Sequence, residues 1–275
     1  DGTFSSGIEV RLQDKKSPTY NISAVADIGN LVNEKDEGNN KSQVVELKVN
    51  EPVTATNYEF DYFAKAVGQS IIKFQDKIPV YVQFYGNADK TIAAPAERIM
   101  AFKNGVAPAE KATNGNLTFR YTEPPTNAPV LEVYVVNKHE EMYKIFPNED
   151  QNYLDKGSGA FDAIELTPDG YIKKAKIAVS TNPVLWRGSD PFPNELVIFS
   201  LLNELINISG AHIDQDGPID SALNDITPRP ISKFTQKLSP LDLKVLQILY
   251  SPPVIPYMSP NEIQKYVRII DAPKN

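Results

Sequence analysis

The sequence has 275 residues and no cysteine, and its 28 basic and 35 acidic residues give a formal net charge of −7. The acidic balance and the lack of a basic run argue against nucleic acid as a partner, because phosphate binding needs a clustered cationic surface. Without cysteine there is no thiol nucleophile and no iron–sulfur site. No apolar run approaches the about 18 residues of a transmembrane helix.

The composition also bears on where the protein works. A chain of this size without cysteine fits an exported protein that folds without disulfides, with the cytosol as the open alternative. The sequence begins at Asp1 with no initiator Met and no apolar signal segment, so we expect the mature form left after signal removal. The predicted location is the periplasm, the cell surface or the extracellular space.

Residues 1–53 are predicted to form a β-rich N-terminal extension. Apolar and polar residues alternate over residues 7–12 and 45–49, which is the pattern of half-buried strands. Residues 33–42 contain no apolar side chain and are predicted to be a loop. The extension is either a docking module that pairs with a neighbour by strand addition or an ordinary β-hairpin or meander.

Residues 54–275 are predicted to form a second domain in which strands and helices alternate. The spacing predicts helices over residues 56–70, 95–104 and 138–146, with Gly105 ending the second of them. Strands are predicted over residues 77–86, 116–122, 129–136 and 170–180, and residues 147–169 are predicted to be a loop. This alternation indicates an α+β (α/β) fold with a mixed sheet.

Three more helices are predicted towards the C-terminus. The first begins at Asn194 and is the most apolar amphipathic segment of the chain. The other two begin after Ser239 and Ser259, each of which is followed by Pro and then by an acidic residue in the first turn. The last helix is expected to continue through residue 270, and the Pro-rich residues 251–258 are expected to be non-helical.

The helix from Asn194 has the outline of a zinc-protease helix without its ligands. An H-E-x-x-H helix places two His one turn apart, so that both bind the metal, and the Glu between them acts as general base. Here Asn203 and Asn207 stand at the two His positions and Glu204 at the Glu position. An Asn carbonyl is a poor zinc ligand compared with imidazole, so zinc is not expected here.

Further along the chain, Gly210 matches the glycine that ends the metzincin helix, and His212 falls one residue short of the third-ligand position. Two roles are open for Glu204. It is either a general base over a cleft or a structural carboxylate bonded to a backbone amide or to a nearby loop. The structural role is favoured because the partners of a base are missing.

The segments after this helix resemble a bacterial domain family of unknown function that is related to the metzincin proteases. The matching residues are Glu204-Leu205 with Gly210, Ser221 with Asn224-Asp225, Leu238 with Asp242, Leu249-Tyr250 with Pro252, and Met258-Ser259. Tyr257 stands where the family often has Gly. The likeness spans about residues 56 to 270 and implies, for residues 54–275, a metzincin-like domain with a twisted mixed sheet, a central helix beneath it and C-terminal helices.

The loop after the central helix is rich in oxygen ligands. Asp214, Asp216, Asp220, Asn224 and Asp225 are the candidate ligands of a hard cation such as Ca²⁺. The loop is not an EF-hand, since Pro218 follows its Gly and no Glu stands at the twelfth position. Asx-turns that cap the helix end are the alternative, so calcium is possible and no cofactor is firmly expected.

These observations favour a non-catalytic, exported protein with a pseudo-metalloprotease fold that binds a protein partner or assembles with itself at the cell envelope or outside it. The alternative is a peptidase-like hydrolase with a rearranged metal site that uses Glu204, His212 and nearby aspartates. A third possibility is a carbohydrate- or peptide-binding module that uses exposed aromatic residues such as Trp186 and Tyr257.

Overall fold

A computed structural model describes residues 19–22, 45–48, 52–68, 71–151, 154, 160–182, 193–208, 222 and 236–270. The chain divides into two compact units, Asp1–Glu51 and Pro52–Asn275. In the first unit, the described residues form two antiparallel strands, β1 (Thr19–Ile22) and β2 (Val45–Lys48). Strand β2 confirms the strand predicted at residues 45–49, whereas the predicted strand 7–12 and loop 33–42 lie outside the described residues.

The second unit is built on a five-stranded sheet. Its strands are β4 (Val80–Tyr85), β5 (Phe119–Arg120), β6 (Val130–Val136), β7 (Ala160–Leu166) and β8 (Ile172–Ser180). They lie in the order β5-β4-β6-β8-β7, in which β7 is antiparallel to its neighbour and the others are parallel. The predicted mixed sheet and the α+β class are therefore confirmed.

Helices cover the sheet. Within the described residues they are α1 (Asn57–Val67), α2 (Ala96–Ala112), α3 (Glu140–Ile145), α4 (Asn194–Ile208), α5 (Pro240–Leu249) and α6 (Pro260–Ile263). Alternate residues of the central strands, such as Val82, Val133 and Ile177, share one buried core with α1, α2, α4 and α5. The opposite face packs Tyr134 and Ala178 against α3 in a second, smaller core. No described helix is both long and apolar enough to span a membrane.

Strand β7 corrects the prediction of a loop over residues 147–169. Residues 160–166 pair with β8 through a turn in which Gly170 has a φ of 82°. The segment alternates Phe161, Ala163 and Glu165 with residues of the other face, and the turn sequence Pro168-Asp169-Gly170 follows it. This hairpin signal was present, but the glycines at residues 157 and 159 suggested a loop instead.

Helix α2 runs past Gly105, so the predicted stop at this glycine is wrong. Gly105 is buried, and a Cβ there would lie 2.9 Å from the Gln236 carbonyl oxygen and 3.1 Å from the Leu202 side chain. Its role is to let the helix backbone approach its neighbours closely. The helix ends instead at Ala112. Asn114, two residues further on, is left-handed, and the Gly115 N–H donates to the Glu110 carbonyl oxygen over 2.8 Å.

The C-terminal helices begin as predicted, but the last one is short. Ser239 and Ser259 both form complete capping boxes, with Asp242 and Glu262 as their partners. After Ile263 the chain makes a 3₁₀ turn and then strand β9 (Val267–Ile270), which pairs in parallel with β3 (Val53–Thr56). The helix predicted through residue 270 is therefore wrong, because pairing with β3 outweighs the helical spacing of its apolar residues.

Candidate functional site

The central helix α4 is buried on nearly all sides. It packs against β7, β8 and α2, and its described polar side chains at Ser200, Asn203 and Glu204 are buried along with its apolar ones. A polar side chain in such a position needs a hydrogen-bond partner, because an unsatisfied buried polar group costs about 1–3 kcal/mol. The hydrogen-bond partners of these side chains therefore show whether their role is structural or catalytic.

The two Asn residues at the predicted zinc-ligand positions bond to each other and to the backbone. The Asn203 Nδ2 donates to the Ala222 carbonyl oxygen over 2.7 Å. The Asn207 Nδ2 donates to the Asn203 Oδ1 over 3.2 Å. Both hydrogen-bonding ends of the Asn203 amide are thus engaged, and its side chain holds Ala222, which follows α4 in the chain.

Ala222 is also held from its other side. Its N–H donates to the Asp242 Oδ2 over 2.9 Å, and the Ser239 N–H donates to the same oxygen over 2.8 Å. Asp242 is completely buried at the start of α5. The central polar cluster, defined as Asn203, Asn207, Ala222, Ser239 and Asp242, therefore joins α4 to α5 through one loop residue.

Of the other predicted site residues, the structure describes Glu204. Its side chain is 8% exposed, so it is not an open carboxylate on a surface. The remaining candidates lie outside the described residues; they are His212, Asp214, Asp216, Asp220, Asn224 and Asp225, together with Gly210 and Trp186. Within the part of the chain that the structure describes, no group of three or more His, Asp or Glu side chains has the arrangement of a metal site.

A second polar cluster lies on the sheet face that carries α3, and sequence reasoning missed it. Glu132 on β6 is buried, and its Oε1 accepts from Lys90 over 2.6 Å and pairs with Lys174 over 2.9 Å. Its Oε2 accepts from the Tyr134 hydroxyl over 2.9 Å. We call Lys90, Glu132, Tyr134 and Lys174 the sheet-face cluster; the side chains of its two lysines are 40% and 38% exposed.

The protonation states of this cluster follow from its contacts. Burial raises the pKa of Glu132, but the hydrogen bonds from Lys90, Lys174 and Tyr134 outweigh it, so the pKa lies below the usual range. Burial and then the charge of Glu132 raise the pKa of Tyr134. Burial, followed by the charges of Glu132 and Glu123, also raises the pKa of Tyr85. The carboxylate is therefore ionised at neutral pH, and both phenols keep their protons.

Two residues of this cluster, Glu132 and Lys174, line a cleft of about 360 Å³. Tyr85 and Gln83 on β4 also line it, and Lys90 lies over the Tyr85 ring, 5.1 Å from its centroid. One wall is the link between β5 and β6, which contributes Pro124 and Pro125. The lining combines charged side chains of both signs with the apolar residues Pro124, Pro125, Ala128 and Val130.

The sequence signal for this cluster was weak. Glu132 is the one charged residue within the apolar strand 130–136, and a lone charge in such a run indicates a buried partner. Lys174 is also on a strand, whereas Lys90 comes from the loop after β4. Only the strand order β4-β6-β8 brings these residues together, and no local spacing encodes that order.

Another lysine, Lys73, has a structural role. Lys73 is completely buried, and its Nζ donates to the carbonyl oxygens of Leu249 and Val254 over 3.0 and 2.9 Å and pairs with Asp76 over 2.7 Å. Burial lowers the pKa of Lys73, and the charge of Asp76 opposes that shift. The ammonium group thus donates two hydrogen bonds to backbone carbonyl oxygens, and Asp76 balances its charge.

His139 and Tyr257 lie in contrasting places. His139 is buried at the start of α3, and its ring packs edge-on against Tyr143. Tyr257 is 59% exposed, in agreement with the prediction of an exposed aromatic. Its backbone has a φ of 68°, a region that favours glycine, and its ring lies against Gly170.

Comparison of this chain with models of known protein families gives no match, and comparison with curated proteins gives no significant match.

Proposed function

We propose that this chain is a non-catalytic protein that uses a metalloprotease-like framework to bind a protein partner or to assemble with itself. The main support is the hydrogen bonding of Asn203. Its amide oxygen, the one atom through which Asn binds a metal, accepts from Asn207, while its N–H groups hold the Ala222 carbonyl. The residue at the first ligand position thus serves as a loop anchor.

Two further observations support the proposal. A mixed sheet with the buried helix α4 packed against it and with helices after it is the layout that the metzincin resemblance implies. The composition without cysteine fits a protein that works outside the cytoplasm, at the cell envelope or in the extracellular space. In this proposal the framework has been kept for its shape while the side chains of the helix have taken a structural role.

The competing function is a hydrolase in which Glu204 acts as general base with a metal of the Ca²⁺ or Mn²⁺ type. The two functions differ in what happens on Glu204→Gln, which removes a base but keeps the side-chain shape. We expect neither the native chain nor Glu204→Gln to hydrolyse a mixed peptide library, with or without added Zn²⁺, Mn²⁺ or Ca²⁺. A turnover in the native protein that disappears in a folded Glu204→Gln variant would overturn the proposal.

Metal content gives an independent test. Elemental mass spectrometry on protein purified without added metal or chelator is expected to find no zinc at one ion per chain, because the amides at residues 203 and 207 are poor zinc ligands. Zinc at one per chain would contradict the proposal and revive the hydrolase.

Calcium bound by the carboxylates of Asp214, Asp216 and Asp220 would fit the non-catalytic function equally well. Binding to the folded state alone would raise the unfolding midpoint in proportion to ln(1 + [Ca²⁺]/Kd). An unfolding midpoint that is the same in Ca²⁺ and in EDTA would remove these carboxylates from consideration as a calcium site.

A further inference from the structure

Tyr257 stands at a place in a turn that favours glycine. The Met258 N–H donates to the Ile255 carbonyl oxygen over 3.4 Å, which closes a β-turn over residues 255–258. Pro256 and Tyr257 are the two central residues of this turn, and the φ of Tyr257 is 68°. A turn of this kind favours Pro followed by Gly or Asn, because a larger residue at positive φ crowds its own backbone. Tyr257 therefore carries strain that glycine would not have.

A second special position holds the Tyr257 ring in place. Gly170, in the turn between β7 and β8, has a φ of 82° and is buried. A Cβ at Gly170 would collide with the Tyr257 ring, so a residue with a side chain would displace that ring. The Tyr257 N–H also donates to the Ile71 carbonyl oxygen over 3.0 Å. Both the backbone and the ring of Tyr257 are thus held at a defined place.

The fold itself makes little use of this ring. Tyr257 is 59% exposed, and Ile255 in the same turn is 51% exposed. A buried aromatic ring would offset the backbone strain through the apolar surface that it removes from water, whereas this ring leaves more than half of its surface in solvent. Strained backbone positions of this kind cluster at ligand-binding and active sites. The combination of strain, fixed position and exposure indicates a ring that is kept for binding.

Polar groups lie close to the ring. Asp169 and Tyr171 are the chain neighbours of Gly170, and Asp169 is exposed. Burial, followed by the charges of Asp76 and Asp169, raises the pKa of Tyr171, so its hydroxyl keeps its proton at neutral pH. The surface beside Tyr257 therefore offers a carboxylate that accepts hydrogen bonds and a phenol that donates or accepts them.

An aromatic ring beside a carboxylate and a hydroxyl suits a neutral ligand with many hydroxyl groups. A pyranose sugar carries C–H groups on one face and hydroxyls around its edge. The C–H groups are slightly positive and the face of an aromatic ring is negative, so the two surfaces stack. The sugar hydroxyls can donate to Asp169 and accept from Tyr171. Proline-rich peptides instead bind grooves lined by several aromatic side chains, whereas the exposed surface here centres on the ring of Tyr257.

We propose that Tyr257 is the stacking platform of a shallow saccharide-binding site, in which a pyranose ring lies on the Tyr257 ring and its hydroxyls bond to Asp169 and Tyr171. This site shares no residue with the central polar cluster and goes beyond the proposed function, which requires no saccharide. Failure of the test below would therefore leave the proposed function unaffected.

Three trisaccharides serve as probes, namely cellotriose, chitotriose and mannotriose. We expect NMR titration of the full chain to show that at least one of them binds with a Kd in the range of about 0.1–10 mM, with shifts at Tyr257 and Gly170. Sorbitol is the matched control ligand, because it has the hydroxyls of a hexose but no pyranose face. It is expected to bind at least about tenfold more weakly.

Variants locate the site. Tyr257→Ala is expected to weaken binding of the trisaccharide at least about tenfold, and Tyr257→Phe to keep most of it, because phenylalanine also stacks. Tyr58→Ala is the matched control: Tyr58 on α1 is 60% exposed, and its loss is expected to leave binding unchanged. The unfolding midpoint of each variant shows whether it remains folded.

Tyr257→Gly separates a binding role from a structural one. Glycine removes the ring and also relieves the strain of the positive φ, so we expect binding to be lost while the unfolding midpoint stays the same or rises. A ring that stabilised the fold through its contact with Gly170 would give the opposite result, a fall in the midpoint for both Tyr257→Gly and Tyr257→Ala.

Four outcomes would overturn the proposal. One is the absence of binding by all three trisaccharides up to about 20 mM. Another is unchanged binding in a folded Tyr257→Ala variant. The third is a midpoint that falls in Tyr257→Gly, which would show a structural ring. The fourth is a polyproline peptide that binds more tightly than the trisaccharides and shifts the same residues, which would show a peptide site.

Discussion

The central polar cluster and the sheet-face cluster bury polar groups in opposite ways. In the central cluster, amides and one carboxylate bind mostly to backbone groups, and Asp242 has no exposed surface. In the sheet-face cluster, side chains bind to side chains, and the two lysine side chains are partly exposed. The first cluster is closed and joins parts of the fold, whereas the second is in contact with solvent through its two lysines.

The two clusters also differ in how visible they are in the sequence. The central helix resembles a catalytic helix in sequence, yet Asn203 and Asn207 bond to each other and Asn203 bonds to Ala222. Glu132 belongs to no sequence motif, yet it pairs with two lysines and lines a cleft together with Pro124 and Pro125. Removing single members of the two clusters tests whether this contrast is correct.

The largest effect is expected for Asp242→Ala. The substitution leaves the N–H groups of Ala222 and Ser239 without their acceptor inside the protein, and each unsatisfied buried group costs about 1–3 kcal/mol. We expect the free energy of unfolding to fall by about 3–5 kcal/mol, measured by urea denaturation.

Glu262→Ala is the matched control for that experiment. Glu262 occupies the same place in the capping box of α6 that Asp242 occupies in α5, but it is exposed and holds no loop residue. A clearly smaller loss is expected for it. Equal losses in the two variants would mean that Asp242 only caps its helix and that the central cluster is not a joint between α4 and α5.

A smaller effect is expected for Asn203→Ala. This change removes the donor to the Ala222 carbonyl and the acceptor for Asn207, and we expect a loss of about 2 kcal/mol in the free energy of unfolding. Asn207→Ala removes one partner of Asn203 and is expected to cost about 1 kcal/mol. If the two substitutions were equally costly in urea denaturation, Asn203 would have no special role as loop anchor.

The sequence predicted the elements more reliably than their contacts. Strand β6, helices α1 and α4 and the caps at Ser239 and Ser259 follow from apolar spacing and from cap residues, which are local signals. The errors arose where a distant partner decides the conformation. Strand β9 exists because β3 lies beside it, and α2 passes through Gly105 because its neighbours approach closely there.

The candidate sites show the same difference between local sequence signals and contacts with distant residues. The exchange of His for Asn at residues 203 and 207 could be seen in the sequence, but the bond to Ala222 joins residues 19 positions apart. The sheet-face cluster joins Lys90 to Glu132 across 42 positions, which only the sheet order determines. Local patterns therefore indicate which residues are unusual, and the strand order shows which of them act together.

The pH dependence of Glu132→Gln tests the ionic character of the sheet-face cluster. Since the folded-state pKa of Glu132 lies below its unfolded value, near 4.5, the ionised carboxylate contributes stability above pH 4.5 and loses it as the pH falls through the folded pKa. At pH 7 the variant is expected to be less stable by about 1–2 kcal/mol, a modest figure because the lysine ends are partly solvated. The difference in the free energy of unfolding between the native chain and the variant, measured by urea denaturation from pH 7 to 3, should be constant down to about pH 5 and shrink below it.

Taking this difference cancels the titration of Glu141 and Glu262, whose pKa values are also lowered. A difference that did not change with pH would show that Glu132 stabilises the sheet through packing and neutral hydrogen bonds, and the contrast between an ionic cluster and a backbone-bonded one would fail.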